Sequence, residues 1–253
     1  MPRVTSANPR PQVSVPVKIS SWSYGVMTVQ SRINTTLPRT LASMKAAGFD
    51  APRLFVDGCT DLAAYEAFKL DVTIRSGEPG RIACNWAAGM VELYTRKPDA
   101  DAYLMVQDDV LMCKDLRAYL ESKPLLPNAY FNLYTASANQ RRMDTQGHKR
   151  GWYTSNQSGF GALALLFTRD ALVKLFTSTY FVMRPQDKGG HKAIDGGIVT
   201  AMREVGYKEY VHKPGLVQHT GGDCSTVGHK PARNWDAESP SFIGESTSAL
   251  TLL

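Results

Sequence analysis

The spacing of apolar positions along this chain changes several times, and each change marks a new element. Gly25-Val-Met-Thr-Val-Gln30 reads as a strand. Behind it Leu37, Leu41 and Met44 recur at helical spacing and predict a helix from about Leu37 to Ala47. Thr35 or Thr36 is the expected N-cap, Pro38 suits the first turn, and Gly48 supplies the stop. Arg53-Leu-Phe-Val-Asp57 follows as a second strand and Val72-Thr-Ile74 as a third. A helix is predicted from about Ile82 to Thr95, with Ile82, Trp86, Met90 and Leu93 inward. Ala102-Tyr-Leu-Met-Val106 is apolar at every position, so it predicts a strand buried on both faces, and it runs straight into Gln107-Asp108-Asp109. Later strands are expected near Tyr130 to Tyr134 and Ala162 to Phe167, with helices near Arg169 to Ser178 and after Asp195. The polar stretch from Phe181 to Lys192, with Gly189-Gly190, reads as a mobile loop.

Strands alternating with helices predict an α/β fold, a mostly parallel central sheet flanked by helices. A length of 253 residues suits one such domain. Residues 1–16, rich in Pro, Ser and Arg, are expected to form a flexible N-terminal arm, 17–239 the domain, and 240–253 a loose Ser- and Thr-rich C-terminal tail. No apolar run approaches the roughly 20 residues of a membrane span, so a soluble protein without a span is expected. The four cysteines, Cys59, Cys84, Cys113 and Cys224, lie far apart without a CxxC pair. That spacing argues against a zinc cluster and predicts buried free thiols. A formal charge of +6 favours polyanionic partners, yet the basic residues are scattered along the sequence. A nucleotide diphosphate would use the same positive potential, so charge does not separate a DNA-acting enzyme from a nucleotide-binding one.

Ligands of open α/β sheets bind at the carboxyl ends of the strands, where Asp108 and Asp109 are expected. Two adjacent carboxylates leaving a buried strand repel each other and lose hydration, which a bound cation relieves. The alternative is a solvated turn in which Asp109 caps the next helix.

Read as strand-Gln107-Asp108-Asp109-Val110, this place resembles the DxD motif of GT-A glycosyltransferases, in the variant whose first carboxylate is replaced. The chain is similar to the branching N-acetylglucosaminyltransferases and to related bacterial and viral enzymes. The resemblance implies a single Rossmann-like GT-A domain in which Asp109 binds Mn²⁺ or Mg²⁺ and Asp108 lies against the donor ribose or sugar. Thr28-Val-Gln-Ser-Arg32, with Leu37-Pro-Arg-Thr-Leu-Ala-Ser43, resembles the nucleotide-binding opening, so Thr28 and Arg32 are expected at the donor, Arg32 on its diphosphate. Val56-Asp57-Gly58 is similar to the strand end that recognises the base, where Asp57 would accept from a uracil N–H. Lys213-Pro-Gly-Leu-Val-Gln-His219-Thr-Gly-Gly-Asp-Cys-Ser225 resembles the element whose histidine completes the metal shell or touches the diphosphate. That role falls to His219 ahead of His148, His191, His212 and His229, and Gly221 and Gly222 would let a phosphate approach the backbone. Ser158-Gly-Phe-Gly161 resembles the segment that lines the donor sugar, through Gly159 and Gly161, and Trp152, Tyr153 and Phe160 are candidates to stack on a sugar ring. Asp195, at the start of a late helix, corresponds to the general base of inverting members, with Asp187 as the alternative. Each residue also has an ordinary structural reading: Asp57 as a turn former, Asp195 as a helix cap, the histidines and aromatics as surface or core groups.

The implied function is a metal-dependent, inverting transfer of a hexose or N-acetylhexosamine from a nucleotide diphosphate donor, a UDP-sugar in preference, to an acceptor hydroxyl. The acceptor stays open among a glycan, a lipid-linked sugar, a protein, a small molecule and a hydroxylated base in viral DNA. Eukaryotic relatives carry a membrane anchor, so its absence implies the cytoplasm of a bacterium or a viral host. A nucleotidyltransferase is the rival enzyme, but it needs a glycine-rich phosphate loop where this chain has Gln30-Ser-Arg-Ile-Asn34. Gln107 in place of an acid leaves open a catalytically silent module that binds nucleotide or nucleic acid.

Overall fold

The all-apolar run occupies the middle of a sheet. In a computed structural model, which describes residues 15–76, 81–183, 194–220 and 239–253, strand β4 (Ala102–Gln107) is buried at every position but its last. It pairs in parallel with β1 (Trp22–Val29), beyond which lie β2 (Arg53–Asp57) and β3 (Val72–Arg75), all parallel. On its other side come the antiparallel β8 (Ala164–Thr168), then β6 (Ala129–Asn132), β9 (Lys208–Lys213) and the edge strand β7 (Gly151–Thr154). The order is β3-β2-β1-β4-β8-β6-β9-β7, and all strands but β8 and β7 run the same way. The mostly parallel α/β sheet expected from the alternation is therefore present. A small antiparallel sheet of β5 (Val110–Met112) and β10 (Val217–His219) continues from the end of β4.

Side chains of a strand alternate between faces, and β4 shows why its run has no polar position. Tyr103 and Met105 enter one core with Trp86, Met90, Leu172 and Ile198, under α2 (Arg81–Arg96), α5 (Arg169–Thr177) and α7 (Ile194–Glu204). Leu104 and Val106 enter the other with Leu37, Met44 and Leu116, under α1 (Thr36–Ala46) and α3 (Leu116–Ser122). The predicted inward residues of the first two helices follow this pattern, Leu37, Met44, Trp86, Met90 and Leu93 being buried and Leu41 and Ile82 half-buried.

Several expectations change. Thr35 takes the N-cap position of α1 without a capping bond; its hydroxyl donates instead to the Arg32 carbonyl at 3.4 Å. The expected loop from Phe181 opens inside a short helix, α6 (Thr179–Met183), and its residues 184–193 lie outside the described ones. Of the N-terminal arm only residues 15 and 16 are described. The C-terminal stretch is not loose: the Ala249 and Lys114 backbones bond at 2.7 Å, Lys114 N–H donates to Thr247 at 3.0 Å, and Ser248 Oγ donates to Asp115 at 2.7 Å. Phe242, Ile243 and Leu252 pack on the core there, which polar composition hid. Cys59 and Cys113 are buried free thiols, but Cys84 is exposed, and Cys224 lies outside the described residues. Among the described residues no helix is long and apolar enough to cross a membrane.

One carboxylate joins the start of β1 to the start of β4. Asp101 Oδ2 accepts from the backbone amides of Ser20 and Ser21, both at 2.9 Å, and from their hydroxyls at 2.7 and 3.0 Å. Burial pushes this carboxyl up, but the serine bonds outweigh it and hold it below the usual range. The stability it contributes is complete above the unfolded value of about 4 and is lost as pH falls through the folded value. Asp101→Asn is expected to lower the urea midpoint at pH 7 and to have a progressively smaller effect below pH 4, followed by urea titrations of both proteins across that range.

Candidate functional site

Parallel β1, β2 and β4 end at one edge of the sheet. The register sets Met27 beside Gln107 and Val29 beside Asp57, which gathers Thr28, Asp57 and Asp108 at that edge. After β4 the chain turns at Asp108 and Asp109 into β5, a strand, so Asp109 caps no helix. The turn is not solvated either, because Asp108 and Asp109 are only 2% and 3% exposed.

Compensation for these desolvated charges comes from the turn after β1. Arg32 Nη1 donates to Asp108 Oδ1 and, at 2.9 Å, to Asp109 Oδ2, while Thr28 Oγ1 donates to Asp108 Oδ2 at 2.6 Å. The guanidinium expected on a diphosphate thus faces the two carboxylates. Burial disfavours its charge, but Asp108 and Asp109 more than offset that and hold Arg32 above its ordinary value. Burial keeps the Asp108 carboxyl above the usual range despite Arg32 and Thr28. For Asp109 burial is outweighed by His219 and Arg32, which leave it below that range and firmly ionised.

His219 arrives through the small sheet, where it pairs with Val110, and its Nε2 lies 3.4 Å from Asp109 Oδ2. Thr220 fixes the Asp109 carbonyl with N–H and hydroxyl bonds of 2.8 and 2.9 Å. Asp109 Oδ1 is buried with no hydrogen-bond partner among the described residues. An orphaned carboxylate oxygen beside an imidazole nitrogen fits a divalent cation such as Mn²⁺, which accepts both donor types. Among the described residues no group of three or more His, Cys, Asp or Glu converges, so these two supply a partial shell. The other described histidines are occupied elsewhere: His212 is buried between the Tyr119 hydroxyl and the Pro214 carbonyl, both at 2.7 Å, and burial lowers it to about 4. His148 stacks on Tyr153. His191, His229, Asp187, Gly221 and Gly222 lie outside the described residues.

Asp57 sits at the same edge, 6% exposed, with Arg75 as its β3 neighbour. Gly159 and Gly161 lie on the loop entering β8, and both have left-handed backbones, with φ of +67° and +69°. A Cβ on Gly159 would collide with the Asp195 carbonyl, and one on Gly161 would come within 2.6 Å of the Tyr134 ring. Their absent side chains therefore let the loop lie against the protein itself. Asp195, in the first turn of α7, accepts from Gly161 N–H at 2.8 Å and Ala162 N–H at 3.1 Å, one bond per carboxylate oxygen. Phe160 is half-buried on this loop, whereas Trp152 and Tyr153 belong to β7, at the far edge of the sheet.

Gln107 has a structural role in this frame, and Asn132 and Glu209 join it without appearing among the residues expected from the sequence. Gln107 Nε2 donates to the Ala162 carbonyl at 2.9 Å, which gives the non-acidic first position of the triplet a reason. Asn132 Nδ2 donates to the Phe160 and Gly161 carbonyls, both at 3.1 Å, and to Glu209 at 3.3 Å. Burial pushes the Glu209 carboxyl up to about 7, with the Asp195 charge adding to it. A lone acid inside Lys208-Glu-Tyr-Val-His-Lys213 was the available clue.

No protein-family model and no curated protein matches this sequence. Among solved structures the chain is similar to GalNAc-T7 with UDP, GalNAc and Mn²⁺, at 11% identity and a TM-score of 0.49 over 79% of this chain and 44% of that one. It is also similar to the mannosyltransferase PcManGT from Pyrobaculum calidifontis in complex with GDP-Man and Mn²⁺, at 14% identity and a TM-score of 0.49 over 79% of this chain and 57% of that one. A third similarity is to the galactosyltransferase LgtC in complex with donor and acceptor sugar analogues, at 15% identity and a TM-score of 0.45 over 74% of this chain and 72% of that one. The chain thus spans about half the length of the first two. Identities this low leave every residue role here to rest on this chain's own geometry.

Gly159→Ala is expected to cost at least about 1–2 kcal/mol, the penalty of a left-handed non-glycine residue, with the collision against α7 adding to it. Equilibrium urea unfolding measures it, and a neutral result would show that the loop does not need glycine there.

Proposed function

We infer that this protein is a metal-dependent glycosyltransferase that moves a sugar from a nucleotide diphosphate donor to an acceptor hydroxyl. The observation that carries the reading is the buried Asp108–Asp109 pair at the carboxyl edge of a parallel sheet, with Asp109 Oδ1 unpartnered and His219 Nε2 3.4 Å from Asp109 Oδ2. Asp109 and His219 would hold Mn²⁺ or Mg²⁺, whose chemistry is to stabilise charge on the departing diphosphate. Arg32 is held on the two carboxylates, so the positive charge an anionic donor needs would come from the cation. Thr28 and Arg32 keep Asp108 oriented at the donor side. Asp57 is a carboxylate at the neighbouring strand end, able to accept from a uracil N–H, which favours a UDP-sugar. Gly159 and Gly161 let this loop pack against Asp195 and Tyr134, and in this reading the loop lines the donor sugar.

In this reading Asp195 is the general base of an inverting reaction. The Gly161 and Ala162 amides hold the carboxylate in one orientation at the loop entering β8. It would take the proton of the acceptor hydroxyl as that oxygen attacks the anomeric carbon.

Calorimetry of UDP with and without Mn²⁺ tests the metal assignment: binding is expected to require the metal and to be lost in Asp109→Ala. Equally tight UDP binding in the presence of chelator would overturn it. For Asp195→Asn we expect intact metal-dependent UDP binding and transfer slowed by about 100- to 10,000-fold. Loss of UDP binding together with transfer would leave Asp195 only its loop-holding role, and a product with the donor's anomeric configuration would exclude inversion.

A further inference from the structure

Four strand positions from β4, roughly 19 Å away at about 4.8 Å per strand, a second concavity opens beside β7. Gly151 pairs with Lys213 at the end of β9, so the start of β7 lies at the same edge of the sheet as Asp108. The concavity holds about 580 Å³ and is lined by His148, Tyr153, Trp152 and Tyr210, with Trp152 and Tyr153 on opposite faces of the edge strand. These rings are half-buried, leaving part of each open. Trp152 is fixed on its own face of the sheet, since Phe131 and His212 meet it edge-on at centroid distances of 4.8 and 4.9 Å. His148 lies flat on Tyr153 at 3.9 Å and 14°.

The charge around these rings has one sign. Arg142 and Gln146, on and just after α4 (Ser137–Thr145), complete the lining with Thr154, and no carboxylate takes part in it. Arg142 is oriented by a 2.6 Å bond from Nη1 to the Ser155 carbonyl. Lys149 and Arg150, in the loop between α4 and β7, are exposed. Asp144, the acid of α4, is engaged by Lys213 and by Gln140. A neutral sugar in such a groove would meet cations and no carboxylate to accept from its hydroxyls. A chain that presents flat π-faces and phosphates in alternation finds a partner for each.

We propose that this aromatic and basic groove binds single-stranded nucleic acid, its bases stacking on the rings around Tyr153 and its phosphates meeting Arg142, Lys149 and Arg150. This site lies four strand positions from Asp109 and needs neither donor nor metal. It also gives a use to the net charge of +6.

Fluorescence anisotropy of a labelled twelve-residue oligothymidylate, measured with the full chain in chelator, tests this independently of sugar transfer. Binding is expected at low salt and should weaken about tenfold or more between 50 and 200 mM salt, as counterion release requires. Tyr153→Ala should weaken it by about 5- to 100-fold, the scale of one base stacked on one ring. The pair Lys149→Glu and Arg150→Glu, both on exposed positions, should abolish it while the urea midpoint and metal-dependent UDP binding stay unchanged, Arg150 giving up a 3.4 Å bond to the Thr251 carbonyl. Absence of oligothymidylate binding at low salt would overturn the proposal, as would binding indifferent to both sets of substitutions. Displacement of the oligonucleotide by a neutral oligosaccharide at similar concentration would overturn it in favour of a glycan site.

Discussion

Two carboxylates taken out of water side by side, Asp108 and Asp109, set the terms for the elements around them. A buried charge that loses its partner costs about 3–5 kcal/mol, so each neighbouring segment is bound to supply one. Arg32 does so from the turn after β1, across 76 positions of sequence, and Thr28 adds a hydroxyl from the strand itself. His219 and Thr220 close the site from β10, across 110 and 111 positions. The same pairs that neutralise the acids therefore tie the first strand, the central strand and the small sheet into one edge. What remains uncompensated, Asp109 Oδ1, is the atom a cation would use.

The loop before β8 links this edge to the back half of the chain. Gln107 bonds the Ala162 carbonyl, Asp195 takes the Gly161 and Ala162 amides, and Asn132 holds the Phe160 and Gly161 carbonyls. Both faces of the loop's peptide units are thus satisfied by side chains from β4, β6 and α7, which is what a loop buried between strands and a helix requires. The arrangement joins the strand end that carries Asp108 and Asp109 to the carboxylate proposed as base through a few hydrogen bonds. Glu209, beneath Asn132, is the buried acid on which that frame rests.

The legible part of the fold is the part with strong local periodicity. The all-apolar run of β4, the strand β2 and the faces of α1 and α2 were readable because the period of buried positions is a local property. α4 was not, because Ser-Ala-Asn-Gln-Arg-Arg-Met-Asp-Thr offers Met143 as its one large apolar residue. β7 was missed as well, since four half-buried residues at a sheet edge alternate too weakly to stand out. The C-terminal stretch looked unstructured for the same reason: its few apolar residues dock on a core assembled by other segments.

For the site, sequence alone determined which residue types stand at the ends of strands: the acids after the apolar run, the arginine after the first strand, the histidine before a glycine pair. Those are short-range facts, carried by order along the chain. Only the tertiary structure decided what each residue faces. It turned Arg32 onto the acids, made Asp195 a holder of the glycine loop, and removed Trp152 and Tyr153 to the far edge of the sheet, where Arg142 lines the same concavity. The reason is that strand order and register place residues far apart in sequence at one edge, and desolvation there selects partners by charge and geometry rather than by proximity in the chain.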